Sequence, residues 1–317
     1  MMSESQNFSS LPTCSVVCLT YNHARFSAAA IESIAQQTYP NIEIIVVDDG
    51  STDGNDEIVD IALKTSGLPY KFIRQKNTGK IAANLNRGLQ ATTGDYVSMF
   101  SLDDILLPDC IASKMETLAV DPNLAFVVNS CHSVVNDDGQ VIQPLCKFNL
   151  YGLDVTTPDE LLEIEFQKIG AFFMQGGVFR SDVINEIGGY DEDLQGDDLI
   201  IRTKIFRYMQ RHSELSFKIV HEPQFKYRTH NNNIHADRWR QVDLILEWRN
   251  RYFPDRRMPS VWCGLVRDSL RIAFEENDFA TIKRAKSLNP EVMEILVESG
   301  RLWNYRWGAL KQAFSLR

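Results

Sequence analysis

The sequence predicts an α/β protein with a mostly parallel, doubly wound sheet that carries antiparallel additions and is followed by a C-terminal helical region. Three observations carry this. Short β-branched apolar runs alternate with helical patterns through the first 130 residues, a hairpin signal then changes the rhythm, and only helical patterns occur beyond residue 238. The 317 residues are 44% hydrophobic and 24% charged, which fits a folded chain of one large or two ordinary domains and excludes global disorder or a fibrous repeat.

Cys14-Ser-Val-Val-Cys-Leu-Thr20 reads as the first strand, Phe26 to Gln37 as a helix and Ile42 to Val47 as the second strand. A polar helix near Asn55 to Lys64, a strand at Tyr70 to Arg74, a helix from Ile81 to Ala91 and a strand from Asp95 to Phe100 continue the alternation. Helix Pro108 to Val120 follows, with Pro108 suited to a first turn, and leads to a strand from Leu124 to Asn129. Strands joined by helices at this spacing require right-handed crossovers and parallel pairing. Val134 to Ile142 holds Asp138-Gly139 at its middle, a hairpin turn and hence an antiparallel addition to the sheet. Residues 158 to 169 read as a helix, Phe172 to Phe179 as extended, Asp198 to Arg211 as a helix and Phe217 to Tyr227 as a further strand. Breaks near Pro254, Pro259 and Pro290 divide the helical remainder. The expected organisation is a flexible N-terminus over 1–12, a main domain over 13–235 and a helical region over 236–317.

Composition narrows the function. Lys plus Arg is 33 against 42 Asp plus Glu, a net charge of −9, which disfavours nucleic acid as the main partner. The charge is uneven, +4 from residue 236 onward and −13 before it, so the two parts differ in task. Six scattered cysteines without a CxxC pair read as reduced core residues. No run approaches the ~18 apolar residues of a membrane span, and the start MMSESQNFSS lacks a secretory layout, so the expected location is the cytosol.

In an open parallel sheet, ligands bind beyond the carboxyl ends of the strands. Those positions are polar here: Thr20-Tyr21-Asn22-His23, Asp48-Asp49-Gly50-Ser51-Thr52-Asp53 and Ser101-Leu102-Asp103-Asp104. Acidic pairs that converge repel one another unless a cation or hydrogen-bond donors lie between them. Asp48 to Asp53 also fits a turn that caps a helix, whereas Asp103-Asp104 exceeds what capping needs. No GxGxxG follows the first strand and no GxxxxGK[ST] occurs, so a glycine cradle for phosphate is excluded. Mg²⁺ or Mn²⁺ takes carboxylate and phosphate oxygens together, which makes a sugar nucleotide's diphosphate the compatible ligand.

Ser15-Val-Val-Cys-Leu-Thr-Tyr-Asn22, the run from Ala35-Gln-Gln-Thr-Tyr-Pro to Val-Val-Asp-Asp-Gly-Ser-Thr-Asp53, and Gly94-Asp-Tyr-Val with Asp103-Asp104 resemble the family 2 glycosyltransferases with a GT-A fold, over roughly residues 13 to 235. The resemblance implies that Thr20, Tyr21 and Asp48 hold the nucleotide base, with Asp49 as the alternative to Asp48, and that Asn22 beside them also belongs to the donor site. The family's metal motif is usually Asp-x-Asp-Asp, and Ser101 stands at its first position here. Asp103 is assigned to ribose or metal water and Asp104 to the metal, Mn²⁺ or Mg²⁺. Gly188-Gly-Tyr-Asp-Glu-Asp-Leu-Gln-Gly-Asp-Asp198 resembles the family's stretch ahead of its catalytic base, which implies that Asp198 or Asp197 deprotonates the acceptor hydroxyl. Such a base needs hydrogen-bond reach and a raised pKa, and adjacent acids raise each other's. Tyr227-Arg228-Thr229-His230 resembles a Tyr-Arg-x-His segment, in which His230 would complete the metal shell or contact diphosphate and Arg228 would offset leaving-group charge. Lys80 and Arg87 fall where the family lines the nucleotide pocket, or on a solvated helix face.

In the tail 301–317, Trp303, Trp307, Leu310 and Phe314 form one helical stripe among four basic residues and no acidic ones. It fits either peripheral contact with an anionic membrane at the inner face or packing on its own domain. The resemblance implies an inverting, metal-dependent transferase that moves a sugar from a nucleotide diphosphate donor, UDP-linked, to a hydroxyl of a glycan or lipid-linked glycan in cell-surface polysaccharide synthesis. The competing reading is a non-catalytic binding subunit of a glycan assembly complex. The sequence leaves room for an oligomer and names neither sugar nor acceptor.

Overall fold

The computed structural model describes residues 11–230, 238–276, 278–292 and 294–295. The tail stripe over 301–317 and the segment after His230 up to 237 lie outside them. The chain divides into two units, one of residues 1–165 and 170–231, the other of 166–169 and 232–317.

The first unit is built on a seven-stranded sheet ordered β10-β6-β9-β4-β1-β2-β3. Its strands are β1 (Cys14–Thr20), β2 (Ile42–Asp48), β3 (Tyr70–Arg74), β4 (Tyr96–Ser101), β6 (Leu124–Asn129), β9 (Val178–Arg180) and β10 (Ser216–Val220). All neighbours pair in parallel except β9, which runs antiparallel between β4 and β6. β1 and β2 are buried along nearly their whole length, as strands covered on both faces must be. Val16, Cys18, Ile44 and Val46 share one core with Ile31 and Ile34 of α1 (Ser27–Ala35), Val59 and Leu63 of α2 (Asn55–Thr65) and Met115 of α4 (Cys110–Val120). The alternate residues meet α3 (Ile81–Gln90) on the other face, where a Cβ at Gly88 would lie 2.4 Å from Val17. That contact is why a helix-weakening glycine sits mid-helix. Phe126, Phe172, Phe179 and Phe206 of α7 (Asp198–Arg211) cluster with centroids 5.6 to 6.3 Å from Phe126.

The hairpin predicted around Asp138-Gly139 forms, as β7 (Cys131–Val135) and β8 (Val141–Lys147). It joins a separate four-stranded sheet, β5-β11-β7-β8, rather than the main one. The single strand expected over 217–227 is two: β10 stays in the main sheet, and beyond Pro223 β11 (Phe225–Arg228) enters the second sheet beside β7 and β5 (Ile105–Leu106). Proline cannot continue a ladder, so the chain changes sheets there. Of the extended segment 172–179, only its end is strand, followed by α6 (Ser181–Glu186).

In the second unit, α8 (Arg238–Tyr252), α9 (Ser260–Glu275) and α10 (Phe279–Leu288) bury Trp248, Trp262 and Leu270. The Trp262 indole N–H donates to the Val242 carbonyl at 3.0 Å, and the Arg256 guanidinium lies 3.5 Å from the centre of the Phe166 ring. Among the described residues no helix is long and apolar enough to cross a membrane.

Candidate functional site

The strand order positions the site. The chain runs from β1 to β2 and β3 on one side, then returns to β4 on the other side of β1, so the carboxyl ends of β1 and β4 flank a topological switch point. Thr20 pairs with Asp48 in register, and Leu19 with Ser101. The turn after β4 is pinned to β1 by Leu102 N–H donating to the Leu19 carbonyl at 3.1 Å.

On the β1–β2 side the polar residues hold each other. Asp48 is buried, and its carboxylate accepts from Ser51 N–H at 2.7 Å and Asn55 Nδ2 at 3.1 Å. Asn55 also donates to Thr20 Oγ1 at 2.9 Å. Asp49 accepts from Gln75 Nε2, Thr78 N–H, the Thr78 hydroxyl and Gly79 N–H at 2.7 to 3.1 Å, fixing the loop before α3. Burial alone would raise the Asp49 carboxyl, but these four donors hold it below its ordinary value. Gly50 is required, since its φ is +77° and a Cβ there would lie 2.4 Å from the Asn77 nitrogen. Asn22 adopts φ +55°, donates its N–H to Ser51 Oγ at 2.8 Å and accepts from Thr52 N–H at 2.8 Å, so it ties the two loops together. Tyr21 is 45% exposed at this rim. Lys80 is exposed at the N-cap of α3, and Arg87 is exposed in that helix's last turn.

The turn after β4 differs in kind. Asp103 and Asp104 are both buried, and Asp103 Oδ1 and Asp104 Oδ2 have no hydrogen bond of good geometry among the described residues. Asp103 Oδ2 lies 3.1 Å from His230 Nε2 and 3.9 Å from His23 Nε2. One ligand atom from each of these three residues lies within 4.8 Å of the others. Burial raises the Asp103 carboxyl, yet the His230 hydrogen bond, the nearby His23 and the Ser101 hydroxyl together hold it below its ordinary value. Asp104 goes the other way: burial first, then the Asp103 charge, push it well above. Its Oδ1 accepts Arg228 N–H at 2.7 Å. The Arg228 guanidinium donates to the carbonyls of Asp103, Asn136 and Asp137 at 2.8 to 2.9 Å and lies 4.7 Å from the Phe26 ring centre. These contacts buttress the aspartate turn.

Asp197 caps α7, accepting Asp198 N–H at 2.6 Å. Asp198 Oδ2 accepts Met174 N–H at 3.1 Å and stands 3.4 Å from Arg202. Burial, then the neighbouring Asp197 charge, push Asp198 up to about 7. The Met174–Gln175 segment links the two aspartate pairs. Met174 holds Asp198, the Gln175 side chain lies against Asp104, and Gln175 bridges to Met99 of β4.

Sequence reasoning left out three residues that build this site. His23 was quoted at the end of β1 without a role, and its position after a strand was the only signal. Glu165 and Arg202 lie inside the helices read over 158–169 and Asp198 to Arg211, which gave neither a role. In the fold they form a buried fork, Nε to Oε2 at 2.9 Å and the second amino group to Oε1 at 3.0 Å, while Glu165 also accepts Gly170 and Ala171 N–H groups. Arg202 donates further to the Phe172 carbonyl at 2.6 Å, so this pair shapes the segment that reaches Asp198.

Comparison with known proteins gives a consistent picture. The model of glycosyl transferase family 2 matches residues 15–175. Glycosyltransferase GlyG of Streptococcus pneumoniae is 33% identical over 272 residues, covering 82% of this chain and 84% of its own length. An uncharacterized glycosyltransferase of Rickettsia felis is 28% identical over 233 residues, or 70% of this chain, which spans only 36% of that relative. Among solved structures, the mannosyltransferase PcManGT from Pyrobaculum calidifontis, in complex with GDP-Man and Mn²⁺, superposes with a TM-score of 0.55 at 19% identity, covering 96% of this chain and 86% of its own. That likeness establishes the fold.

Proposed function

The chain belongs to the family 2 glycosyltransferases, and on that premise we propose that it moves a sugar from a nucleotide diphosphate donor to a hydroxyl of a glycan or lipid-linked glycan, with inversion at the anomeric carbon. The donor read from the resemblance is UDP-linked. The observation that carries the reading is the pair of buried carboxylate oxygens at the switch point of the sheet, Asp103 Oδ1 and Asp104 Oδ2, which have no hydrogen bond of good geometry among the described residues. A buried pair in which Asp103 keeps its charge and Asp104 is forced to resist its own is one that a bound cation would compensate. The residues fit one: Asp104, Asp103 and His230 would hold Mn²⁺ or Mg²⁺, which when bound neutralises charge on the departing diphosphate.

The chain's own groups supply the rest. Thr20, Tyr21, Asn22 and Asp48 stand at the rim that would receive the base, with Lys80 and Arg87 on the adjoining helix for phosphate. Asp198 is the base: a carboxyl at about 7 is half deprotonated at neutral pH and a far stronger proton acceptor than an ordinary aspartate. Asp197 contributes by raising it, and Arg202 and Met174 N–H fix its direction. A mere binding subunit has no use for so perturbed an acid, which favours catalysis over that alternative. The proposal places the reaction in the cytosol, with residues 301–317 bringing the chain to a membrane-borne acceptor.

A panel of nucleotide sugars screened for thermal stabilisation with Mn²⁺, followed by donor hydrolysis with and without chelator, tests this. The expected result is one donor that raises the melting point and turns over only with the metal. Stabilisation without any turnover would support the binding-subunit reading. Flotation with anionic liposomes, comparing the full chain with one lacking 301–317, tests the membrane contact.

A further inference from the structure

His23 is held by its neighbours rather than by its own ring. Asn22 before it is locked in the left-handed region by bonds to Ser51 and Thr52, and Ala24 after it donates its N–H to Asp53 Oδ2 at 3.0 Å. The backbone thereby aims the half-buried imidazole across the switch point at the turn after β4. There His23 Nε2 and His230 Nε2 approach the same oxygen, Asp103 Oδ2, at 3.9 Å and 3.1 Å, with the two rings edge to face at 6.0 Å. A separation of 3.9 Å is too long for a hydrogen bond. It is ordinary for two ligands of one ion: metal–ligand bonds of about 2.1 Å leave ligand atoms between about 3.0 Å and about 4.2 Å apart. The other Asp103 oxygen, in a side chain that is nine-tenths buried, has no hydrogen bond of good geometry among the described residues.

We propose that His23 is a fourth protein ligand of the cation beside Asp104, forming with His230 and Asp103 a face of two histidines and one carboxylate. This rests on the reading that a divalent cation sits at the Asp103–Asp104 turn, and it goes further by setting which cation. A purely carboxylate site suits Mg²⁺, whereas two imidazole nitrogens shift preference toward transition ions, in the order Co²⁺ over Mn²⁺ over Mg²⁺. Ser101 supports this division of labour, because the hydroxyl that replaces a third carboxylate leaves the site less anionic and more dependent on nitrogen donors.

The full chain, without donor, is titrated calorimetrically with Co²⁺, Mn²⁺ and Mg²⁺, and Mn²⁺-loaded samples are read by pulsed electron paramagnetic resonance for imidazole nitrogen couplings. Expected for the wild type are two coupled nitrogens and at least about tenfold tighter binding of Mn²⁺ than of Mg²⁺. His23→Ala should lose one nitrogen and about tenfold or more in Mn²⁺ affinity, since even outer-shell losses reach that size, with Mg²⁺ affinity unchanged. His23→Asn provides the same comparison should the alanine variant fold poorly. Two couplings persisting in either variant, or Mg²⁺ bound as tightly as Mn²⁺ by the wild type, overturns the inference. Loss of Mn²⁺ in Asp103→Asn but not in the His23 variants removes His23 alone, whereas Mn²⁺ retained by Asp103→Asn removes the cation site as well.

Discussion

Replacing Asp198 by asparagine should abolish turnover and return stability, and the return should depend on pH. In the folded protein the Asp198 carboxyl titrates at about 7, while in the unfolded chain it titrates near the ordinary aspartate value of about 4. Between those values the folded state binds a proton that the unfolded state has lost, so this group's contribution to stability is fully present below pH 4 and is lost as pH rises through 7. A shift of about three units corresponds to at most about 4 kcal/mol. The side chain is 30% exposed and solvent screens it, so about 1 to 2 kcal/mol is expected. An asparagine keeps an acceptor for Met174 N–H and has no charge to bury. The difference in melting point between Asp198→Asn and wild type should therefore be near zero at pH 4.5 and grow to several degrees in favour of the variant by pH 8. Melting both proteins across that range with chelator present measures it, and taking the difference cancels every other titration. An offset that stays constant from pH 4.5 to 8, or that favours wild type at high pH, would refute the burial argument for this carboxyl.

The other expectations are shorter. Gly50→Ala should destabilise by about 3 kcal/mol or more, from a left-handed φ together with a Cβ 2.4 Å from the Asn77 nitrogen, whereas Gly54→Ala, with φ +85° and nothing within 4 Å, should lose only the conformational part of about 1 kcal/mol; equal losses in denaturant titrations would contradict this. Glu165→Gln removes the carboxylate from a buried Arg202 and should lower stability by about 3 to 5 kcal/mol and weaken turnover by loosening residues 170–174, read by thermal melts and by protease sensitivity of that segment. Asp104→Asn keeps an acceptor for Arg228 N–H, so it should fold normally by circular dichroism and lose metal-stimulated turnover; full activity would remove Asp104 from the mechanism.

Regular elements were legible in the sequence where one periodicity held from end to end. The strands at Cys14–Thr20, Tyr70–Arg74 and Leu124–Asn129 and the helix Asp198–Arg211 fall at the predicted bounds. The errors lie where the chain changes partner without changing pattern. Phe217 to Tyr227 alternates like one strand on both sides of Pro223, and nothing local says that the second half joins another sheet. β5 is two residues long, too short for any period. At the site, acidic residues after strands were visible because the end of each strand can be read locally, whatever the order in which the strands pair. The Glu165–Arg202 fork was not, because its members are 37 residues apart and only tertiary packing buries them.

Six aspartates fall in three adjacent pairs, at the ends of β2 and β4 and at the start of α7, and the sequence presents each pair as two equal carboxylates. Donor supply makes them unequal. Asp48 accepts from Ser51 and Asn55 just after it, whereas Asp49 accepts four donors from Gln75, Thr78 and Gly79 in the loop before α3, so Asp49 stays ionised and fixes that loop. At the next turn the histidines face Asp103, while Asp104 gains a single backbone donor in full burial, so one member keeps its charge and the other resists it. At α7, Asp197 takes the cap and leaves Asp198 to bear both burial and its neighbour's field. A pair of acids whose environments push their pKa values apart is the arrangement that lets one carboxylate bind and the other exchange a proton. The same residue type can therefore organise a loop, keep its charge in full burial or hold on to its proton, according to how many donors the fold aims at it.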